Sequence, residues 1–492
     1  MKSTYKIAVL ISVLLLDLGM AGCKKLVEVS APPTSLSNGN VYQNDKTAIS
    51  VLTGIYTNIS GASFTSPGIS SISLYAGLSA DELTLFSGAA DITQKAFFTN
   101  ALTSSNVSGS GPDFWTVYYQ TIFYANSAIE GLNNSTSLTP AVKQQLLGEA
   151  EFIRAFCYFY LVNLYGDVPL VLTTDYKANS SIARSPKSQV YEQIIRDLKD
   201  AESKLSSTYL DATLLNSSAE RVRPSRWAAT AMLAKVYLYY GNLTGDAANY
   251  TNAESESSLL IGNASLFGLT TLDNTFLNAS LGNNEAIWQI QPVAFGQDTP
   301  DAAVFVLPPS GPSQATYTVF LSPQLLNAFE NGDQRKSKWI SSVTDTVAGT
   351  PTTYFFAYKY KVNDPNAPVT EYETMLRLGE QYLIRAEVRA QLGEPTAVDD
   401  LNAIRQRAGL AAYSGQVDKA SLLNAILHER QVELFTEMGN RWLDLKRTAT
   451  VDPVMTVVTP MKGGAWNPIQ QLYPIPISDM KANPKLVQNP GY

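Results

Sequence analysis

Histidine is all but missing from this chain. His428 is the one histidine in 492 residues, and Cys23 and Cys157 are the only cysteines. A zinc site needs several nitrogen or sulfur ligands converging on one point. A Ser-His-Asp triad would have to be built on His428, which stands beside Glu429 and Arg430 in a segment patterned as helix. Neither chemistry is expected, no Gly-rich phosphate loop is seen, and neither cofactor nor metal is expected. Charge is sparse as well: charged residues make up 16% of the chain and the net charge is −7. Lys and Arg are scattered, so no basic stripe exists to neutralise phosphates, which argues against a nucleic-acid partner. The apolar run Ile7 to Leu16 is too short to span a bilayer as a helix, and no other apolar segment is long enough.

What stands at the N-terminus is a targeting segment rather than fold. Lys2 and Lys6 supply a positive region ahead of that apolar run, and Met20-Ala21-Gly22-Cys23 follows. Small residues just before a Cys at the end of such a run resemble a lipobox. Residues 1–22 are then a lipoprotein signal peptide, and Cys23 becomes the lipidated first residue of the mature chain. Cys157 sits among Phe156, Tyr158 and Phe159 and reads as a small buried thiol. The hydrophobic fraction of 45% is enough for a large core, and residues 23–492 are expected to form a single large domain on a lipid tether.

Helical periodicity dominates two blocks, about 44–262 and 375–447. In the first, Lys46 to Ile59 and Phe114 to Leu132 read as helices. Thr139 and Pro140 open a third, in which Leu146, Ala150, Ile153, Cys157, Tyr160 and Leu164 recur at helical spacing. Leu147, Ala155, Phe159 and Val162 give it a second apolar face, so it must be sandwiched between neighbours. Gly166 is expected to end it. Val190 to Leu205 and Arg226 to Tyr240 follow, the latter expected to stop at Gly241. In the second block, Arg377 to Leu392, Ala397 to Ala408 and Ser421 to Met438 are expected to close at Gly393, Gly409 and Gly439. Two pieces are alike. In Leu233-Ala234-Lys235-Val236 before Gly241, and in Ile384-Arg385-Ala386-Glu387-Val388 before Gly393, an Ala stands seven residues ahead of the Gly and a Val five ahead. A small residue at a helix contact, then a Gly turn, is the logic of tetratricopeptide hairpins, here in degenerate form.

Between the blocks, about 263–374, Pro, Gly, Asn and Asp are frequent. Glu285 to Gln291 and Thr353 to Lys361 read there as short strands. A Pro-rich tail occupies 448–492. Loops this long are unusual unless they carry function.

Several segments resemble the SusD/RagB family of outer-membrane lipoproteins. They are Gly148 to Ala155 with Leu164 to Leu170, Arg223 to Ala229, Leu401 to Arg405 with Arg407 to Leu410, Glu429 through Leu434 to Arg441-Trp442-Leu443-Asp444-Leu445, and Tyr473-Pro474-Ile475-Pro476 with Gln488 to Tyr492. They lie in the family's order along nearly the whole mature chain. The resemblance implies a mainly α fold, a tetratricopeptide-like hairpin scaffold carrying a loop-rich, partly β ligand face. It implies anchorage at the outer membrane facing the exterior, and partnership with a SusC-like TonB-dependent barrel. It implies nutrient uptake by binding of oligosaccharides without catalysis. Peptide binding by the same architecture is the alternative, and a surface glycoside hydrolase is a further one.

Glu429, Arg430, Glu433, Glu437, Arg441, Asp444 and Arg447 form a dense charge cluster. Paired carboxylates facing a cleft could serve a glycosidase, but the spacing of Glu429, Glu433 and Glu437 favours ion pairs that stabilise a helix. Asp81-Glu82 is a second acidic pair, and the resemblance implies a structural role for it. Among aromatics, Trp115, Tyr118, Phe123, Trp227, Trp288 and Trp442 are assigned to packing. The loop aromatics Phe86, Phe295 and Tyr317 are the candidates for stacking on a ligand, with Asn100, Gln297 and Asp298 as hydrogen-bonding company.

Overall fold

A computed structural model describes residues 41–61, 68–107, 113–293, 296–347 and 350–492. The signal peptide, Cys23 and Phe295 lie outside the described residues. The chain is mostly helical, with a few short strands. The first block holds α1 (Asp45–Ser60) and α2 (Ile72–Ser79), then the short strand β1 (Leu83–Leu85) and α3 (Ile92–Phe98). The long helices α4 (Phe114–Asn134), α5 (Pro140–Tyr165), α6 (Lys187–Lys204), α7 (Arg226–Thr244) and α8 (Ala247–Ile261) follow. The irregular region carries β2 (Ala286–Ile290), β3 (Val319–Leu321), β4 (Ile340–Val347), β5 (Thr350–Ala357) and β6 (Glu373–Arg377). The second block is α9 (Leu378–Leu392), α10 (Ala397–Arg407), α11 (Lys419–Glu433), α12 (Asn440–Arg447) and α13 (Val451–Met461).

Each helix from α4 to α8 packs on the next, and α8 packs on α9. The two sequence blocks therefore form one continuous stack, and the segment between them is an excursion out of it. β2 and β6 pair antiparallel across the ends of that excursion, with Ile290 opposite Glu373. α5 is the centre of the stack: Phe152, Ile153, Cys157, Phe159 and Leu161 are all fully buried. That burial is why both its faces are apolar. It also pushes the Cys157 thiol up, which leaves it inert.

Several helix ends differ from expectation. Thr139 occupies the N-cap of α5 but its side chain makes no capping bond. Gly166 (φ +80°) and Gly393 (φ +78°) do close their helices. Gly241 does not: α7 runs through it to Thr244 and stops before Gly245 (φ +71°). A Cβ on Gly241 would meet the Tyr250 ring at 2.6 Å, so this glycine serves the close approach of α8 rather than a turn. The third helix of the second block ends at Glu433, and the chain then turns through Thr436 and Met438 at positive φ before α12.

The motif residues have visible work in this scaffold. On α5, Arg154 forks onto Asp197 at 2.6 and 2.8 Å and reaches Asn126, tying α5 to α6 and α4. Glu149 accepts from Tyr56 and pairs with Arg223. In the tail, Asn489 donates to the carbonyls of Tyr165 and Tyr473, and Tyr473 N–H donates to Leu164 O. The closing motif thus docks on the otherwise open C-terminus of α5.

Candidate ligand-binding site

The charge cluster is a buried structural network; apart from Asp444–Arg447 within α12, its ion pairs join different elements. Arg335 pairs with Asp333, Glu429 and Glu433. Arg377 pairs with Glu285, Glu433 and Glu437, Arg407 with Glu285 and Glu433, and Lys359 with Glu437. The i, i+4 expectation failed because Glu429 and Glu433 on α11, and Glu437 just past its end, point inward, where cations from the excursion and from α10 meet them. Burial alone would raise the Glu433 carboxyl, but Arg407, Arg377 and Arg335 together hold it well below the usual carboxylate range. Carboxylates so neutralised face no cleft and offer no acid–base pair of the glycosidase kind. Asp81 is held by Arg441 at 2.8 Å, and Glu82 is buried beside it. His428 faces the Ala328 carbonyl at 2.8 Å. Among the described residues no group of His, Cys, Asp and Glu could hold a metal ion.

The aromatic candidates behave differently. β1 and β3 pair antiparallel, Leu85 opposite Val319, and β3 lies against β5. This brings Phe86, just past β1, and Tyr317, just before β3, into one cluster outside the main core. Its buried floor is Leu307, Tyr354 and Phe356, and half-buried Phe320 and Tyr358 complete it. Phe86 meets Tyr354 edge-on at 6.3 Å, and Phe320 meets it at 5.0 Å. Phe86, Tyr317, Phe320 and Tyr358 each keep part of their surface exposed. Ser313 fixes the Tyr317 loop: its Oγ accepts from the Thr316 and Tyr317 amides, and its own N–H donates to Tyr317 O. Phe355, on the opposite side of β5, is 41% exposed.

Tyr354, Phe356 and Tyr358 were not among the sequence candidates. The signal is present nonetheless: they alternate along the strand expected over Thr353 to Lys361, and period-two spacing puts them on one face.

The polar candidates divide. Asn100 is a correction. It is 4% exposed, donates to Ser79 O at 3.0 Å and accepts from Thr459 Oγ1 at 2.9 Å. Its φ of +50° fits a turn that Asn tolerates. Its amide is spent on tying the chain after α3 to α2 and α13, so it cannot face a ligand. Gln297 is half-buried and donates to Ser60 O at 2.7 Å. Asp298 is half-buried by a small crevice with Val362, Val369 and Glu371, and burial raises its carboxyl. Of the assigned packing residues, Trp288 is fully buried, edge-on to Phe152 at 5.1 Å and Phe156 at 5.4 Å. Phe123 is a second correction: it is 47% exposed, because α4 turns that position to solvent.

Fold and site together define a helical-hairpin scaffold whose aromatic face is borne on short strands and loops inserted into the stack. Comparison with known proteins gives the family. A family described as starch-binding and associating with the outer membrane matches residues 79–238, and the SusD family matches residues 269–492. The chain belongs to the SusD/RagB family. It is 27% identical to SusD-like protein P2 of Formosa agariphila, over 98% of this chain and 99% of that one. It is 22% identical to the starch-binding protein SusD of Bacteroides thetaiotaomicron, over 73% and 75%. Surface glycan-binding protein A from Bacteroides uniformis superposes with a TM-score of 0.75 at 18% identity, covering 90% of this chain and 99% of that one. No helix among the described residues is long and apolar enough to cross a membrane.

Proposed function

We propose that this chain is a lipid-anchored protein on the outer face of the outer membrane that binds oligosaccharides on its aromatic face. In this reading it acts without catalysis and passes its ligand, as a lid, to a SusC-like TonB-dependent barrel. The observation that carries the binding step is the cluster of Phe86, Tyr317, Phe320 and Tyr358 over Tyr354 and Phe356. Sugar rings present flat C–H faces that stack on aromatic rings, and a loop-borne platform of half-buried rings is suited to them. Family membership and the names of a starch-binding relative and a glycan-binding structural neighbour support the same ligand class. The barrel partner and the lipid at Cys23 follow from the family resemblance and from the lipobox-like sequence.

The test is calorimetric titration of the whole chain with α- and β-linked gluco-oligosaccharides, with the mixture examined afterwards for shortened products. Saturable binding with no product is expected. Release of smaller sugars would make the chain a hydrolase, and binding of peptides but of no glycan would reassign the ligand.

A further inference from the structure

A second cleft, sharing no lining residue with the aromatic cluster, lies between α5, α6, α7, α12 and the tail. Its volume is about 570 Å³, within the range of small-molecule sites. Pro468, Ile469, Leu472 and Pro490 give it apolar walls, and its polar lining includes Lys187, Lys446, Arg447 and Tyr239 but no Asp or Glu.

The cations here are not equivalent. Arg447 is fully engaged, with Glu387, Asp444 and Asn242. Lys446 is not: its ammonium donates to the Asn163 carbonyl and lies 5.8 Å from the Trp442 ring centre. Among the described residues neither Lys446 nor Lys187 forms an ion pair with a carboxylate. Carboxylates on nearby segments are committed elsewhere. Asp444 holds Arg430 and Arg447, and Asp452 accepts from Trp466 and Gln471, while Asp167 accepts the Lys187 amide and partly offsets the charge of its ammonium from outside the cleft wall. Burial, reinforced by Lys187, pulls the Lys446 ammonium well below the ordinary lysine range. Tyr239 contributes to the same wall, but its hydroxyl is turned inward among Asp444, Arg447, Arg430 and Glu380.

Lys446 and Lys187 are half-buried, and a cation withdrawn from water is normally met by a carboxylate. Here a surplus of donors faces a cavity with no acid in its wall. We propose that this cleft is a binding site for a small solute bearing an oxyanion, with Lys446 and Lys187 supplying the positive charge that meets it. A carboxylate on a sugar and a free inorganic oxyanion share that chemistry.

The experiment uses the whole chain in a chloride buffer of fixed ionic strength. Glucuronate, glucose and inorganic sulfate are titrated in turn, by calorimetry and by thermal melting. Glucuronate, sulfate or both should bind and raise the melting temperature, and glucose should not. Binding of glucuronate alone identifies a carboxylated sugar as the source; binding of both identifies the oxyanion as sufficient. Lys446→Met should weaken binding by about tenfold or more and leave the unliganded melting temperature nearly unchanged or higher, since it removes a half-buried amine that has no ionic partner. If Lys446→Met does not fold, the more accessible Lys187→Gln should still weaken binding severalfold. Absence of binding at about 10 mM ligand, glucose binding as tightly as glucuronate, or affinity unchanged in the variants would overturn the assignment.

Discussion

Arg377 and Glu433 meet at 2.6 Å, Nη1 to Oε1, across 56 positions of chain. One ends the strand that leads out of the excursion; the other ends α11. Around them Arg335, Arg407 and Lys359 each meet a carboxylate, and Glu285, Glu429 and Glu437 each meet a cation, so removing one member leaves another charge uncompensated in the interior. Glu433→Gln or Arg377→Met should therefore lower stability by about 3–5 kcal/mol in urea unfolding. Because the Glu433 carboxyl is held below its ordinary value, its contribution is present above the ordinary carboxylate pKa and disappears as pH falls through the folded value. Wild type should lose stability on acidification more steeply than Glu433→Gln. Equal slopes would show that the network is not ionised as described.

Glu82 gives the opposite sign. Burial, helped by the neighbouring Asp81, pushes its carboxyl up to about 8, and its Oε1 has no hydrogen-bond partner. A raised carboxyl favours the folded state at low pH, and the gain is lost as pH rises toward about 8. Wild type should lose on the order of a few kcal/mol across that range, and Glu82→Gln should flatten the profile. A variant whose unfolding free energy tracks wild type at every pH would assign the slope to another group.

Gly241→Ala tests the helix crossing. Its Cβ would fall 2.6 Å from the Tyr250 ring, a contact that must displace the ring or move α7 and α8 apart. The expected loss is about 1–3 kcal/mol, and pairing it with Tyr250→Leu should restore part of it. A destabilisation of only a few tenths of a kcal/mol, typical of an exposed substitution, would remove the packing role.

In the aromatic cluster, floor and rim should separate. Phe86→Ala and Tyr317→Ala remove half-buried rings, so each should weaken oligosaccharide binding by about tenfold with a small change in melting temperature. Tyr354→Ala removes the buried support and should lower both affinity and melting temperature. Rim variants that melt early yet bind normally would return Phe86 and Tyr317 to packing.

Cys23→Ala should move the chain from the membrane fraction to the soluble fraction when the barrel partner is absent. Continued membrane association would mean that the anchor lies elsewhere.

The helices are legible in the sequence because burial on a stack repeats at helical spacing, as in Leu146, Ile153, Cys157 and Tyr160. Their ends are less so. Gly241 looks like a terminator, but a glycine at a crossing and a glycine at a turn differ only in what lies opposite. The charge cluster shows the same limit: local spacing suggested pairs along α11, while the partners Arg335, Arg377 and Arg407 come from elsewhere in the chain. Phe86 and Tyr317 could be picked out as loop aromatics, whereas Asn100 could not be told from a solvent-facing Asn. Its partners, Ser79 and Thr459, are distant in sequence.

The pairing of β2 with β6 fixes the neck of the excursion independently of what lies beyond it. For a chain segment pinned at both ends, the entropy of closure grows only as the logarithm of its length, so doubling the segment costs roughly 0.6 kcal/mol. The stretch between Ile290 and Glu373 can accordingly lengthen, shorten or exchange its aromatics at little cost to the helices that carry it, provided the cations it sends to α11 are kept. On the proposed reading, most of the rings that meet a ligand can then change faster than the helices beneath them.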